Sequence, residues 1–208
     1  MLADNPLGYW RLGETSGTTA ADSSGHDRNG AYLNGVTLGI PGALSGDPNT
    51  AASFDGVNDC VQVPDEQALR LNGSWTIEFW AKQIAFANSF PGLLVKGSAH
   101  TPHGYLIWAD PFGGLWLERN NKEISTGRGA LTSTFRYFVV TYDGSKVRWY
   151  VDGALTATSA AHFPANNGKQ PLTLGEGNEY GNDGLDEVAL YGSALSAARV
   201  AAHYAAGA

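Results

Sequence analysis

Apolar and polar positions alternate along Trp75-Thr76-Ile77-Glu78-Phe79-Trp80-Ala81-Lys82, with Trp75, Ile77, Phe79 and Ala81 on one face. Thr76, Glu78, Trp80 and Lys82 fall on the other face. A period of two is that of a strand with one buried side. Similar runs at 138–142, 146–152 and 151–158 meet at Asp143-Gly144 and Asp152-Gly153. Asp-Gly between such runs predicts hairpins, because both residues tolerate positive φ, so residues 136–158 are predicted as a three-strand meander. Residues 6–12, 59–63, 93–96, 105–109, 114–119 and 171–175 supply further short strands. Near the C-terminus, Leu185, Val188, Leu190 and Tyr191 surround the acidic pair Asp186–Glu187, and Gly192 ends that strand. Ser196 is placed as the N-cap of an Ala-rich helix running toward Tyr204, with Val200 and Tyr204 on one face.

Strands and helices do not alternate, which excludes a doubly wound fold. No repeat of solenoid or propeller length is present, and no Pro-, Gly- or Ser-rich linker divides the chain. The expected architecture is all-β: one domain over residues 1–208, a two-sheet antiparallel jelly-roll sandwich with a short C-terminal helix. Composition agrees, since 27 glycines and many aromatics in 208 residues suit short strands joined by turns. The net charge of -7, without a basic run, argues against a nucleic-acid partner and an anionic membrane surface. No stretch is long enough to insert in a membrane. Cys60, the sole cysteine, permits no intrachain disulfide and reads as a small buried hydrophobe.

Four blocks stand in order along the chain: YWRLGETSGTTAADSSG followed by NG, AASFDGVNDCVQVP, SWTIEFWAK and GLDEVALYGSALSAARVAAHY. Together they resemble the laminin-G-like jelly rolls of the concanavalin A-like lectin/glucanase superfamily, as found in bacterial surface proteins and phage virion proteins. The resemblance implies that the last strand returns beside the first. It also implies a non-catalytic, lectin-like adhesion module on a virion or extracellular surface. The family often carries Glu three residues after the capping Ser, where this chain has Arg199.

Calcium is the cofactor implied by this resemblance; the alternative is that the same acids only cap turns and accept from backbone amides. A hard cation takes about six to eight oxygens. The loop 22–29 offers Asp22, the Gly25 carbonyl and Asn29, and the family pattern brings Asp186 beside it, with Asp55 as a weaker third carboxylate. For carbohydrate, which stacks its C–H faces on aromatic rings, the candidates are Trp80, Trp108, Trp116, Tyr150 and Tyr180. Alternation places Trp80 with Glu78, Trp116 with Glu118, and Tyr150 with Arg148, away from their apolar neighbours. Tyr180 lies in the Asn- and Tyr-rich loop 176–183. Burial beneath covering segments is the competing fate of each ring. His100 and His103 read as exposed loop histidines, because no further ligands stand at zinc-site spacing.

No catalytic residue is expected. Retaining glycoside hydrolysis needs two carboxyl groups about 5–5.5 Å apart. The superfamily's laminarinase-like enzymes place them as Glu-x-Asp-x-Glu on one strand. Here Glu78 stands alone, and Asp186 and Glu187, being adjacent, are expected to point to opposite faces. Two functions follow. The first is attachment to a glycan or bacterial surface polysaccharide. The rival is a structural virion protein, a capsid decoration or tail component, docking on other virion subunits. The segment MLADNPLGYWRL has no signal-peptide character, which suits a virion protein released by lysis.

Overall fold

The computed structural model describes residues 1–85, 88–97 and 104–208, so His100 and His103 lie outside the described residues. The N-terminal half forms β1 (Gly8–Trp10), β2 (Thr19–Ala20), β3 (Gly30–Leu33), β4 (Thr37–Pro41), β5 (Thr50–Ser53), β6 (Cys60–Val63) and β7 (Trp75–Gln83). The central strands are β8 (Pro91–Lys96), β9 (Tyr105–Ala109), β10 (Leu115–Arg119), β11 (Lys122–Ser125), β12 (Arg136–Tyr142), β13 (Lys146–Val151) and β14 (Ala154–Ala160). The chain closes with β15 (Leu172–Leu174), β16 (Glu179–Tyr180), β17 (Asp183–Tyr191) and the helix α1 (Ala197–Gly207). No helix among the described residues is long and apolar enough to cross a membrane.

The strands form two sheets. The first runs β14-β13-β12-β7-β17-β5-β4, with β1 also paired to β17. The second runs β11-β10-β9-β8-β15-β6-β3-β2, with β16 beside β8. As expected, the last strand closes on the first: Gly8, Tyr9 and Trp10 pair with Leu190, Ala189 and Val188. One apolar core lies between the sheets and contains Trp10, Trp75, Phe79, Leu117, Phe138 and Trp149. The inward positions of β7 are those its alternation predicts. Cys60 is buried, and burial pushes its thiol up to about 11.

The meander over residues 136–158 forms as expected, but its two turns differ. Asp152 and Gly153 both take positive φ (50° and 76°). At the other turn Gly144 alone does (97°). There the Asp143 carboxylate accepts from the Ser145 and Lys146 amides, so a side chain rather than a second left-handed residue fixes the turn. The helix starts at Ser196, whose Oγ accepts from the Arg199 amide at 3.2 Å. Arg199, standing where a capping-box Glu was absent, pairs instead with Asp4 at 2.6 Å and fastens the helix to the N-terminal segment.

Candidate functional site

The outward face of the first sheet is covered by α1. Val200 of the helix packs against Trp80, Tyr137, Val139 and Tyr150, and Tyr204 stacks on Trp80 at 6.0 Å. Trp80 and Tyr150 are therefore only 5% and 3% exposed. This corrects their assignment as sugar platforms. The alternation placed them outward properly, and the helix then buried them. Gly207 permits the approach: a Cβ there would sit 2.7 Å from Leu44 and 3.1 Å from the Trp80 ring.

Beneath the helix lies a polar network. The Glu78 carboxylate accepts from the hydroxyls of Tyr137 (2.5 Å) and Tyr191, and pairs with His203 Nδ1 at 2.9 Å. The other ring nitrogen of His203 meets Asp4 at 2.8 Å. Burying a carboxylate is tolerated when donors surround it, and here His203 also ties α1 to the sheet, while Tyr137 and Tyr191 reach Glu78 from the two strands that flank β7.

The acidic pair of β17 departs from simple alternation. Asp186 pairs with Trp80 and Ala189 with Glu78, so Glu187 and Val188 together stand opposite Phe79. Glu187 takes φ 52°, which makes this a bulge. Val188 turns into the core, whereas Asp186 and Glu187 both face outward. The expectation of opposite faces is thus overturned by one inserted residue. Glu187 accepts from Tyr9 Oη, Arg11 Nε (2.8 Å) and Asn49 Nδ2 (3.3 Å), while Asp186 accepts from the Ala43 amide at 2.8 Å. A cleft of about 600 Å³ opens here, with Tyr9, Arg11, Asp47, Trp80, Glu187 and His203 in its lining. Its charged groups are paired with one another: Arg11 binds Asp47 at 2.9 Å as well as Glu187.

The loop expected to hold calcium is organised by hydrogen bonds instead. Asp22 Oδ1 accepts from the Tyr9 and Ser24 amides, and Oδ2 from Ser24 Oγ and the Arg28 amide, each at 2.8–2.9 Å. A carboxylate has about four lone-pair sites, and all four meet donors. Asn29 Oδ1 accepts from the Asp22 amide, and Asp55 Oδ1 caps the turn at Val57. Gly25 takes φ 87° in this loop. The donor set of Asp22, Gly25, Asn29 and Asp186 therefore does not fit a calcium ion. Asp22 closes a turn, and Asp186 anchors the segment at Ala43.

The second sheet carries Trp108 and Trp116 on the side opposite the core, and α1 lies over the other sheet. Tyr180 pairs with Gly92, Gly92 with Trp108, Trp108 with Trp116, and Trp116 with Ser125. These five residues form one row across β16, β8, β9, β10 and β11, spanning about 19 Å at the usual strand spacing. The Trp108 and Trp116 rings stack with centroids 5.4 Å apart and planes 9° from parallel. Trp116 is half-buried, and its other flank faces the small Ser125. Asp110 accepts from Trp116 Nε1 at 2.8 Å and from the Phe112 and Gly114 amides, which fixes the indole at the mouth of the β9–β10 turn. Phe90, 50% exposed, meets Trp108 edge-on at 5.4 Å. Phe112, 59% exposed, lies under Arg128 at 3.9 Å.

Trp108, Trp116 and Tyr180 thus fall in one row, but Trp108 is itself buried (8% exposed) behind Trp116 and Phe90, which corrects it as a sugar platform too, and Trp80 and Tyr150 go elsewhere. Phe90 and Gly92 were not legible as parts of the site. A Cβ on Gly92 would lie 2.2 Å from Gly177, so the glycine lets the loop 175–181 cross the sheet and deliver Tyr180 to the row. A glycine inside an apolar strand run is the signal that could have pointed to such a close approach.

Known structures share this architecture. The chain is similar to the binding domain of Paraclostridial Mosquitocidal Protein 1, with a TM-score of 0.75, 17% identity, and coverage of 98% of this chain and 52% of that one. It thus spans about half of that structure. It is similar to domain 4 of AbnA, a GH43 extracellular arabinanase from Geobacillus stearothermophilus, with a TM-score of 0.72, 17% identity, and coverage of 95% and 97%. It is also similar to a botulinum neurotoxin type C structure, with a TM-score of 0.73, 12% identity, and coverage of 98% and 51%. No curated protein matches. The Laminin_G_3 family model matches residues 55–201, which is most of the two sheets described above, and the chain belongs to this family of the concanavalin A-like lectin/glucanase superfamily.

Proposed function

We propose that this chain is a non-catalytic carbohydrate-binding domain that attaches to a surface glycan through the outward face of the second sheet, at Trp116 and Phe90 with the buried Trp108 behind them. The observation that carries the reading is the half-exposed Trp116, held by Asp110 and stacked on Trp108, beside the exposed Phe90. An indole fixed in this way offers apolar area to sugar C–H groups at little entropic cost, and nearby carboxylates and the Tyr180 hydroxyl meet sugar hydroxyls. The similar domain 4 of AbnA is in complex with arabinotriose, and cell entry of botulinum neurotoxin type C depends on two ganglioside molecules. A non-catalytic role accords with the carboxylates of the first sheet. Glu78 and Glu187 are each surrounded by donors of the protein itself and are fully buried.

A docking role, as a virion decoration or tail component, is favoured by a different observation. Val57, Ile84, Phe90 and Phe112 are exposed large apolar residues. In that reading they meet another subunit over more than about 1,000 Å². A glycan array probed with wild type and Trp116→Ala separates the two readings. Saturable binding by the wild type, weakened at least about tenfold in the variant, is expected for the lectin. Absence of glycan binding at every density, with wild-type and variant proteins equally folded, transfers the assignment to the docking role.

A further inference from the structure

We infer that Arg119 holds a small inorganic anion, of the size of chloride, inside the core where β10 ends. The side chain is buried, and an arginine cannot shed its proton to escape that burial. One of its N–H groups donates to the Leu71 carbonyl at 3.1 Å. Its other neighbours are rings: the guanidinium carbon lies 5.8 Å from the Trp75 ring centre, 5.9 Å from that of Tyr105 and 5.3 Å from that of Phe163. Burial pulls the guanidinium below its ordinary range, and the groups that oppose this are Tyr105 and Tyr142, with no acid among them. Lys96, buried as completely, is treated differently: it meets Asp65 at 2.6 Å and the Gln170 carbonyl at 2.7 Å. A buried charge without a counter-charge is far costlier than a solvated one, so Arg119 calls for a partner that Lys96 already has.

Two further donors at this end of the core point to the sign of that partner. Trp75 Nε1 and Asn166 Nδ2 are buried and have no hydrogen-bond partner among the described residues. Trp75 packs on Tyr142 and on Phe163, the ring that also meets Arg119. Asn166 is tied to Asn72 by two hydrogen bonds, of 3.1 Å and 2.6 Å, and Asn72 follows Leu71, whose carbonyl takes the Arg119 N–H. Each of these groups can only donate at the atom concerned, so what each lacks is an acceptor. A water molecule would accept from two of them, but it would bring two protons of its own to be satisfied and leave the charge unbalanced. A monovalent anion accepts from several donors at once and neutralises the guanidinium.

Thermal denaturation in sodium chloride and in sodium gluconate, at equal ionic strength, tests this, because gluconate is too bulky for a core site. Wild-type Tm is expected to be higher in chloride by about 3 °C or more at about 300 mM, and to rise with chloride concentration as a binding curve does. Arg119→Met, which keeps an unbranched chain and removes the charge, is expected to have the same Tm in both salts. Should that variant fail to fold, Trp75→Phe keeps the ring, deletes only the N–H, and is expected to lose at least about half of the chloride effect. Crystals of the wild type grown in sodium bromide locate the ion directly: an anomalous peak is expected at hydrogen-bond distance from the Arg119 guanidinium. Equal wild-type Tm in the two salts, a chloride effect undiminished in the variants, or bromide absent from Arg119 would each overturn the assignment.

Discussion

The two outward faces of this sandwich begin from similar sequence patterns and end in opposite states. On the first sheet, Trp80, Tyr137 and Tyr150 alternate with core residues as Trp108 and Trp116 do on the second. The first set is sealed beneath α1, with Glu78 and His203 satisfied inside the seal. In the second set Trp108 is buried too (8% exposed), and Trp116 remains partly open beside Ser125 at the edge of β10 and β11. An aromatic on the far side of a strand is thus only a candidate for recognition. The element that packs over it, or does not, decides between a second core and a binding surface.

The largest expected effect comes from exchanging one indole on each face. Trp80→Ala removes a buried ring contacting Tyr137 and Tyr204 and is expected to cost about 3–5 kcal/mol. That lowers Tm by about 10 °C. Glycan affinity of the fraction that remains folded should be unchanged. Trp116→Ala is expected to cost only about 1 kcal/mol, since its ring is partly solvated, while abolishing glycan binding. Thermal denaturation alongside glycan titration checks both variants, and a Trp80→Ala protein that is stable yet unable to bind would reverse the comparison.

A smaller effect separates the faces by pH. Burial pushes the Asp183 carboxyl up to about 7, and neither of its oxygens has a hydrogen-bond partner among the described residues. Burial likewise raises Asp186 to about 7, partly opposed by the Ala43 amide. Both groups hold a proton more tightly folded than unfolded, where an Asp titrates near about 3.9. The associated stability is complete below about pH 4 and is lost as pH rises through about 7. These two groups therefore favour a higher Tm near pH 5 than near pH 8. Asp183→Asn is expected to raise stability at pH 8 by about 2–4 kcal/mol and to flatten the profile. A mutant profile as steep as the wild type's would remove Asp183 from the account. Binding at the aromatic row should not follow this transition.

The smallest effect concerns the metal. Because Asp22 is filled by four donors, wild-type Tm is expected to be the same in calcium and in EDTA. A calcium-dependent rise, lost in Asp22→Ala, would show that a cation displaces those donors.

Much of this was legible in the chain itself. Alternation in β7 determined which side chains enter the core, because strand geometry imposes a period of two whatever the neighbours are. Asp152-Gly153, Gly192 and Ser196 set a turn, a strand end and a helix start through local backbone preferences. The ordered motifs indicated a concanavalin A-like sandwich. The rest depended on contacts between distant residues. The bulge at Glu187 placed two carboxylates on one face, and it is held by Tyr9, Arg11 and Asn49, none of them local to β17. Gly92 admitted the loop that carries Tyr180. Where α1 lands chose which aromatics were sealed. Side-chain direction follows from neighbouring peptide geometry, whereas exposure depends on what the rest of the chain brings to cover a face, so tertiary structure alone decided where a binding surface could remain.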